Sequence, residues 1–209
     1  MTVKLRRERE REEIRQLIKD AARKLFLAEG FEKTTMRRIA DEVEYAPGAL
    51  YQYFEDKDAI LYALHQEGFE RLYAMERALD SIDDPLSRLY MLGLTYIRFA
   101  LENPEFYALM FIDAATSKKM PEGGWPEGVR ALDYCRETVA ACIASGKIRQ
   151  TDANVGAFAM WAMVHGLVSL VIRQRCPMIP ADMRIPMLHA AYEFLWGSFV
   201  GGIARGSAA

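Results

Sequence analysis

Between Thr34 and Lys57 the chain reads TTMRRIADEVEYAPGALYQYFEDK. Its functional groups there are mostly hydroxyls, one long amide and a pair of adjacent guanidinium groups, which suit recognition rather than bond-making. The surrounding pattern is that of two short helices about a tight corner. That layout places the second helix in the major groove of DNA. Gln52 is the one long amide on the second helix and matches the bidentate edge of adenine. Arg37 and Arg38 lie one turn inside the first helix, where one of them can add a base or backbone contact. Helix N-termini add unpaired N–H groups and partial positive charge, so the starts of the helices flanking the corner suit phosphate.

Helices must position these groups, and the periodicity is helical nearly throughout. Ile14, Leu17, Ile18, Ala21 and Leu25 follow the i, i+3, i+4, i+7 rule. Gly30 stands where a left-handed residue ends a helix, with Phe31 placed to fold back on the last turn. Thr34 suits the N-cap of a second helix with Met36, Ile39, Ala40 and Val43 inward. Pro47 suits the first turn of a third, with Leu50 and Phe54 inward. Asp56 caps a fourth running to about residue 79. Further helices are expected from Asp83-Asp84-Pro85 to about 103, from Pro104, and over about 126–145, 152–175 and 182–200. A loop is expected over 118–128 and a small-residue tail from Gly201. No strand-type alternation or repeat is visible, so the expected fold is all-α.

Charge narrows the mode of binding. Residues 1–40 carry twelve Lys/Arg against seven Asp/Glu, whereas residues 41–60 carry one against six. The phosphate grip therefore has to come from the N-terminal region, helix termini and hydroxyls rather than from a basic reading helix. Arg6, Arg7 and Arg9 could form a minor-groove or backbone arm, but an alternating Arg/Glu run better suits a solvent-exposed helix lead-in.

Leu25-Phe26, Gly30-Phe31, Thr34-Thr35, Ile39-Ala40, Pro47-Gly48-Ala49-Leu50-Tyr51-x-Tyr53-Phe54 and Asp56-Lys57 stand in the order and spacing of a known domain. Over about residues 12–62 the chain resembles the N-terminal domain of tetracycline-repressor (TetR) family regulators. The resemblance implies a DNA-binding domain over residues 1–58 and a helical ligand-binding and dimerisation domain over 59–209. It also implies a homodimer that binds a near-palindromic double-stranded operator and releases it when a small-molecule effector binds. Carried onto this chain, it makes Thr35 a phosphate contact and sets Pro47, Gly48, Ala49, Tyr51 and Gln52 at the groove. Tyr51 and Tyr53 then reach phosphates, Lys57 holds a phosphate at the start of the fourth helix, and Arg37 joins the set. The corner departs from the family pattern. Glu44 stands where the family has Gly, Tyr45 is left to fill the corner's apolar slot, and Ala46 replaces a capping Ser.

The remaining helices resemble a C-terminal domain of part of that family through Asn103-Pro104-Glu105-Phe106-Tyr107, Met110-Phe111 and Trp161-x-x-x-His165-Gly166-Leu167. The implied pocket is lined by Met91, Tyr96, Phe99, Tyr107, Met110, Phe111, Trp125, Trp161 and His165. With so few charges it suits a neutral, apolar ligand, and His165 reads as a satisfied structural group. The two last helices are apolar over more than one face. Ala157, Met160, Val164, Val168 and Val171 on one, with Leu188, Tyr192, Leu195 and Phe199 on the other, are expected to meet a two-fold copy in a four-helix bundle.

Other classes fit less well. Residues 153–172 form a twenty-residue stretch without formal charge, the length of a bilayer crossing. The stretch carries Asn154, Trp161, His165 and Ser169 and has no companion, so a buried helix is expected and not a membrane span. None of His65, His165 and His189 has Glu three residues earlier, and there is no Gly-rich phosphate loop, His-Glu-x-x-His or Gly-x-Ser-x-Gly. An enzyme is not expected, nor a metal or other cofactor. A helical module that uses its N-terminal domain for a protein partner is the remaining alternative. The three cysteines lack metal-ligand spacing and read as buried thiols. A charged N-terminus without an apolar core is no signal peptide, so a cytoplasmic location is expected.

Overall fold

In the computed structural model, which describes residues 3–112 and 125–201, the regular elements are all helical. They are α1 (Val3–Glu29), α2 (Met36–Glu42), α3 (Pro47–Leu50), α4 (Lys57–Arg77), α5 (Pro85–Glu102), α6 (Pro104–Tyr107), α7 (Pro126–Ala144), α8 (Ala153–Ile172) and α9 (Arg184–Gly201). The all-α expectation is met among the described residues. Most of the expected 118–128 loop and the tail beyond Gly201 lie outside them, while Pro126 to Gly128 already belong to α7.

The chain divides into two compact units. One runs to Phe69 and resumes at Glu105; the other takes Glu70 to Pro104 and the chain from Gly124. In the first, α1 buries Ile18, Ala21, Ala22, Leu25 and Phe26, whereas Leu17, expected on that face, is exposed. Gly30 ends α1 with φ +87°, and the Phe31 ring meets Phe26 edge-on at 5.0 Å. Capping of α2 differs from expectation by one residue. Thr35 Oγ1 accepts from Arg38 N–H at 3.1 Å, while the buried Thr34 hydroxyl donates to the Gly30 carbonyl at 3.0 Å. Two adjacent threonines thus serve opposite ends of the α1–α2 connection. Asp56 caps α4 through Ala59 N–H at 2.7 Å, as expected. After α6 the chain opens into one wide π-type turn, Ala108–Ile112.

In the second unit α5, α7 and α8 pack on one another and α9 packs on α8. Local signals set the ends: Asp84 caps α5 through Ser87 N–H at 2.8 Å, and Asp152 caps α8 through Asn154 and Val155. Close approach requires Gly93. A Cβ there would lie 2.2 Å from Tyr192 Oη and 2.5 Å from Met160 Cε. The Tyr192 hydroxyl cannot simply swing away, because it donates to the Tyr90 carbonyl at 2.8 Å.

α8 is long and apolar enough to cross a membrane by length and composition. One stripe of it, Gly156, Ala157, Met160, Val164 and Val168, is buried within the chain. All three cysteines are free and buried, and burial pushes the Cys135 thiol up to about 12 and the Cys142 thiol to about 11. Thiols held protonated in this way are poor nucleophiles.

Candidate nucleic-acid interface

The corner between α2 and α3 keeps the geometry that its residue types oppose. Tyr45 N–H bonds the Ala40 carbonyl at 2.9 Å and Glu44 N–H bonds that of Asp41 at 3.3 Å. These are the two bonds of a Schellman ending, which requires a left-handed residue between them. Glu44 supplies it with φ +57°, a conformation that costs a side-chain-bearing residue about 1 kcal/mol. Ala46 precedes α3 in extended conformation and offers no side-chain cap, while Pro47 fills the first helical position. Tyr45 does not fill the apolar slot. It is exposed, and Val43 and Leu50 are the buried side chains around the corner.

α3 is one turn long, extended by bonds from Gln52 to Ala49 and from Tyr53 and Phe54 to Leu50. Leu50 and Phe54 are buried beneath it. Above it Pro47, Gly48 and Gln52 are exposed, Tyr51 is 57% exposed, and Ala49 and Tyr53 are half-buried. A Cβ at Gly48 would meet nothing within 4 Å, so backbone can approach closely there. Thr35 and Arg37 are exposed on α2. Arg37 makes no hydrogen bond or ion pair among the described residues, whereas Arg38 pairs with Glu29 at 3.1 Å and Glu42 at 3.0 Å. Of the two guanidinium groups, only Arg37 is uncommitted.

Lys57 occupies a different environment from a surface phosphate ligand. Its Nζ donates to the carbonyls of Phe31 at 2.9 Å, Thr34 at 3.2 Å and Glu32 at 3.4 Å, and lies 4.3 Å from the Phe31 ring centroid. An ammonium has three donors, so this one clamps the α1–α2 connection behind the corner. Two residues that the sequence reading missed hold the other end of α3. Arg11 donates to the Gln52 carbonyl at 3.1 Å and Arg15 to that of Tyr53 at 2.6 Å, with Arg15 stacked 4.3 Å over Phe54. The last carbonyls of a helix attract cations. The only signal in the sequence is the four-residue spacing of the two arginines.

The nine residues expected to line an effector pocket fall in both units. Tyr107, Met110 and Phe111 belong to the first, where Phe111 meets the rings of Phe69 and Tyr107 at 5.4 and 5.3 Å. In the second, Tyr96, Trp161 and His165 come together. Trp161 Nε1 donates to Tyr96 Oη at 3.3 Å, and Tyr96 Oη lies 3.2 Å from His165 Nδ1. Indole can only donate, so the Tyr96 hydroxyl accepts from Trp161, and the direction of its bond with His165 Nδ1 follows the imidazole tautomer. Burial lowers the His165 pKa, consistent with a neutral ring. Phe99 is buried and Trp125 half-buried, while Met91, five residues from Tyr96 on α5, is exposed.

The residues expected at a two-fold interface divide in an unexpected way. Ala157, Met160, Val164, Val168, Leu188 and Tyr192 are buried inside one chain. A side chain without accessible surface cannot meet a second copy, so these six form the chain's own core. Leu195 is exposed, and Val171 and Phe199 are half-buried. The opposite face of α8 exposes Val155, Phe158 and Leu170, and α9 exposes Met187 and Phe194, with Phe158 at 63% and Phe194 at 75%. Among the described residues no cluster of His, Cys, Asp and Glu is arranged to hold a metal.

Residues 18–64 match the family described as bacterial regulatory proteins, tetR family, and residues 89–194 match tetracyclin repressor-like, C-terminal domain. The HTH-type transcriptional repressor Rv1474c of Mycobacterium tuberculosis is 39% identical over 61 residues, 29% of this chain and 33% of that protein. The regulator HbdR of Aromatoleum sp. is 39% identical over 80 residues, 37% of this chain and 34% of that protein. The chain thus spans about a third of the length of the curated relatives it matches. A solved protein of unknown function from Rhodococcus sp. RHA1 superposes with TM-score 0.68 at 28% identity, over 89% of this chain and 95% of that one. AibR, solved with isovaleryl coenzyme A and operator DNA, superposes with TM-score 0.69 at 19% identity, over 89% and 97%.

Proposed function

We propose, starting from the fact that this chain belongs to the tetR family of bacterial regulatory proteins, that it is a repressor whose homodimer grips a near-palindromic operator and releases it on binding a small effector. The observation that carries this reading is the two-sided turn from Gly48 to Phe54. Leu50 and Phe54 anchor it, while Gly48, Tyr51 and Gln52 are exposed to solvent. Gly48 and Ala49 allow backbone approach, Gln52 reads a base edge, and Tyr51, Tyr53 and the Thr35 end of α2 meet phosphates. Arg37 adds a cation that makes no hydrogen bond or ion pair among the described residues. Lys57 acts from behind, fixing the connection that presents α2.

Dimerisation uses the outward face of α8 and α9. Large rings at Phe158 and Phe194 in water favour association, and a second copy of the same face covers them. The effector is small and apolar and is sensed in the aromatic region around Tyr96, Trp161 and His165. AibR, which shares the fold, binds both an acyl coenzyme A and operator DNA, a precedent for joining the two kinds of site in one chain. Cytoplasmic residence and the absence of catalysis accompany this role.

Selection from random duplexes, followed by anisotropy titration of the recovered sequence, tests the reading. A regulator enriches a near-palindrome and binds it with a steep salt dependence from counterion release. Recovery of no enriched sequence contradicts it.

A further inference from the structure

The inward stripe of α1 does not end where the first unit's core ends. Ile18, Ala22 and Leu25 are buried along it. One turn earlier the same face carries Arg15 and Arg11, which hold the carbonyls of Tyr53 and Gln52. Steps of four and three residues further back lead to Arg7 and Lys4, still on this face by helical spacing. α1 is continuous from Val3, so both residues are carried on a rigid element. A helix rises 1.5 Å per residue, so Arg7 stands about 6 Å and Lys4 about 10 Å beyond Arg11 along the axis.

The four acids of this extension have cations assigned to them. Arg6 pairs with Glu10 at 3.0 Å, Arg9 with Glu13 at 3.3 Å, Arg15 with Glu12 at 3.7 Å and Lys4, most loosely, with Glu8 at 4.0 Å. Arg7 has no hydrogen bond or ion pair among the described residues, and Arg11 has no carboxylate. The alternating Arg/Glu run is therefore sorted in space. Neutralised pairs occupy the flanks and back, while on the line that runs on from the end of the reading turn Arg7 is uncompensated and Lys4, beyond it, is held only by a long, exposed pair with Glu8.

We infer that Lys4 and Arg7 form a second, sequence-independent DNA contact: an arm that binds backbone phosphates flanking each half-site while α3 reads the bases. The inference rests on the operator-binding reading above. The positive charge that the acidic 41–60 segment lacks is thereby supplied in line with it, through side chains that touch no other part of the chain's core.

The test compares the full chain with a Lys4→Ala/Arg7→Ala double variant on the duplex recovered by selection with the unaltered protein. Anisotropy is read across a salt series, with thermal melting to show that both proteins are folded. Each lost phosphate contact lowers the log–log salt slope by about 0.9, so the slope should become shallower by about 2 per protomer. Affinity should fall about equally for every single-base variant of the duplex. Unchanged slope and affinity would overturn the arm and leave the base-reading turn intact. Loss of preference at one base pair would overturn its assignment to phosphate. If the unaltered protein retains no duplex, the operator reading fails and the arm falls with it.

Discussion

The corner around α3 and the outer surface of α8 and α9 solve opposite problems. α3 turns its apolar residues, Leu50 and Phe54, inward and leaves polar groups in solvent. α8 and α9 bury one apolar stripe and leave a second outside, with Phe158 and Phe194 largely in water. The first surface suits a charged, hydrated partner such as duplex DNA; the second suits an apolar partner such as its own copy. The interior shows the same inversion. The second unit buries a carboxyl, Glu76, which is 5% exposed and whose Oε2 finds no hydrogen-bond partner among the described residues. Where a chain exposes apolar groups and buries a polar one, the explanation has to be sought in what covers or enters that region.

The largest effect should come from that carboxyl. Burial pushes Glu76 up to about 8, whereas an unfolded glutamate titrates near about 4.3. Between those values the unfolded chain has lost a proton that the folded chain keeps. Stability is therefore full below the lower value, falls by up to about 1.4 kcal/mol per pH unit through the window, and levels off above the higher. Glu76→Gln should flatten this fall, so urea midpoints at pH 5 and pH 8 should converge. Midpoints that still diverge as before would show that Glu76 is not the source.

Phe194→Glu should convert the proposed homodimer to a monomer in sedimentation velocity at micromolar protein, weakening self-association at least about 100-fold, the scale of a central aromatic anchor. A persistent dimer would place the two-fold contact elsewhere and remove the contrast between the two surfaces. Lys57→Met should lower stability by about 2 kcal/mol through three lost carbonyl bonds, read as a reduced denaturant midpoint without any DNA present. Loss of DNA affinity at unchanged stability would instead return Lys57 to the phosphate contacts. Tyr51→Phe should weaken binding to the selected duplex by about 1 kcal/mol with unchanged melting, since its ring is exposed and only the hydroxyl is lost. Equal affinity would remove Tyr51 from the interface.

Legibility in the sequence followed the range of the interactions. Gly30, Pro47, Asp56 and Asp84 act within their own helix ends, and each was readable because it needs only its neighbours. The capping role of Thr35 escaped by one position, since adjacent threonines look alike until the chain decides which one is buried. The clamp at Lys57 and the hold of Arg11 and Arg15 on α3 join residues 23 to 41 positions apart, and local spacing does not reveal such pairs. Six of the residues expected at a two-fold face belong to the chain's own core for a physical reason. A helix apolar all round has no periodicity to say which stripe belongs to its own chain. The corner survived despite Glu44 and Ala46 because Leu50, Phe54 and the α2 stripe fix it from beneath.

The most direct measurement repeats the duplex selection with Gln52→Ala beside the unaltered protein. If the exposed face of α3 reads bases, the unaltered protein recovers a near-palindrome. The variant should then lose preference at one base pair in each half-site and keep the rest. An identical consensus from both proteins, at equal affinity, would contradict the reading of duplex edges by this turn.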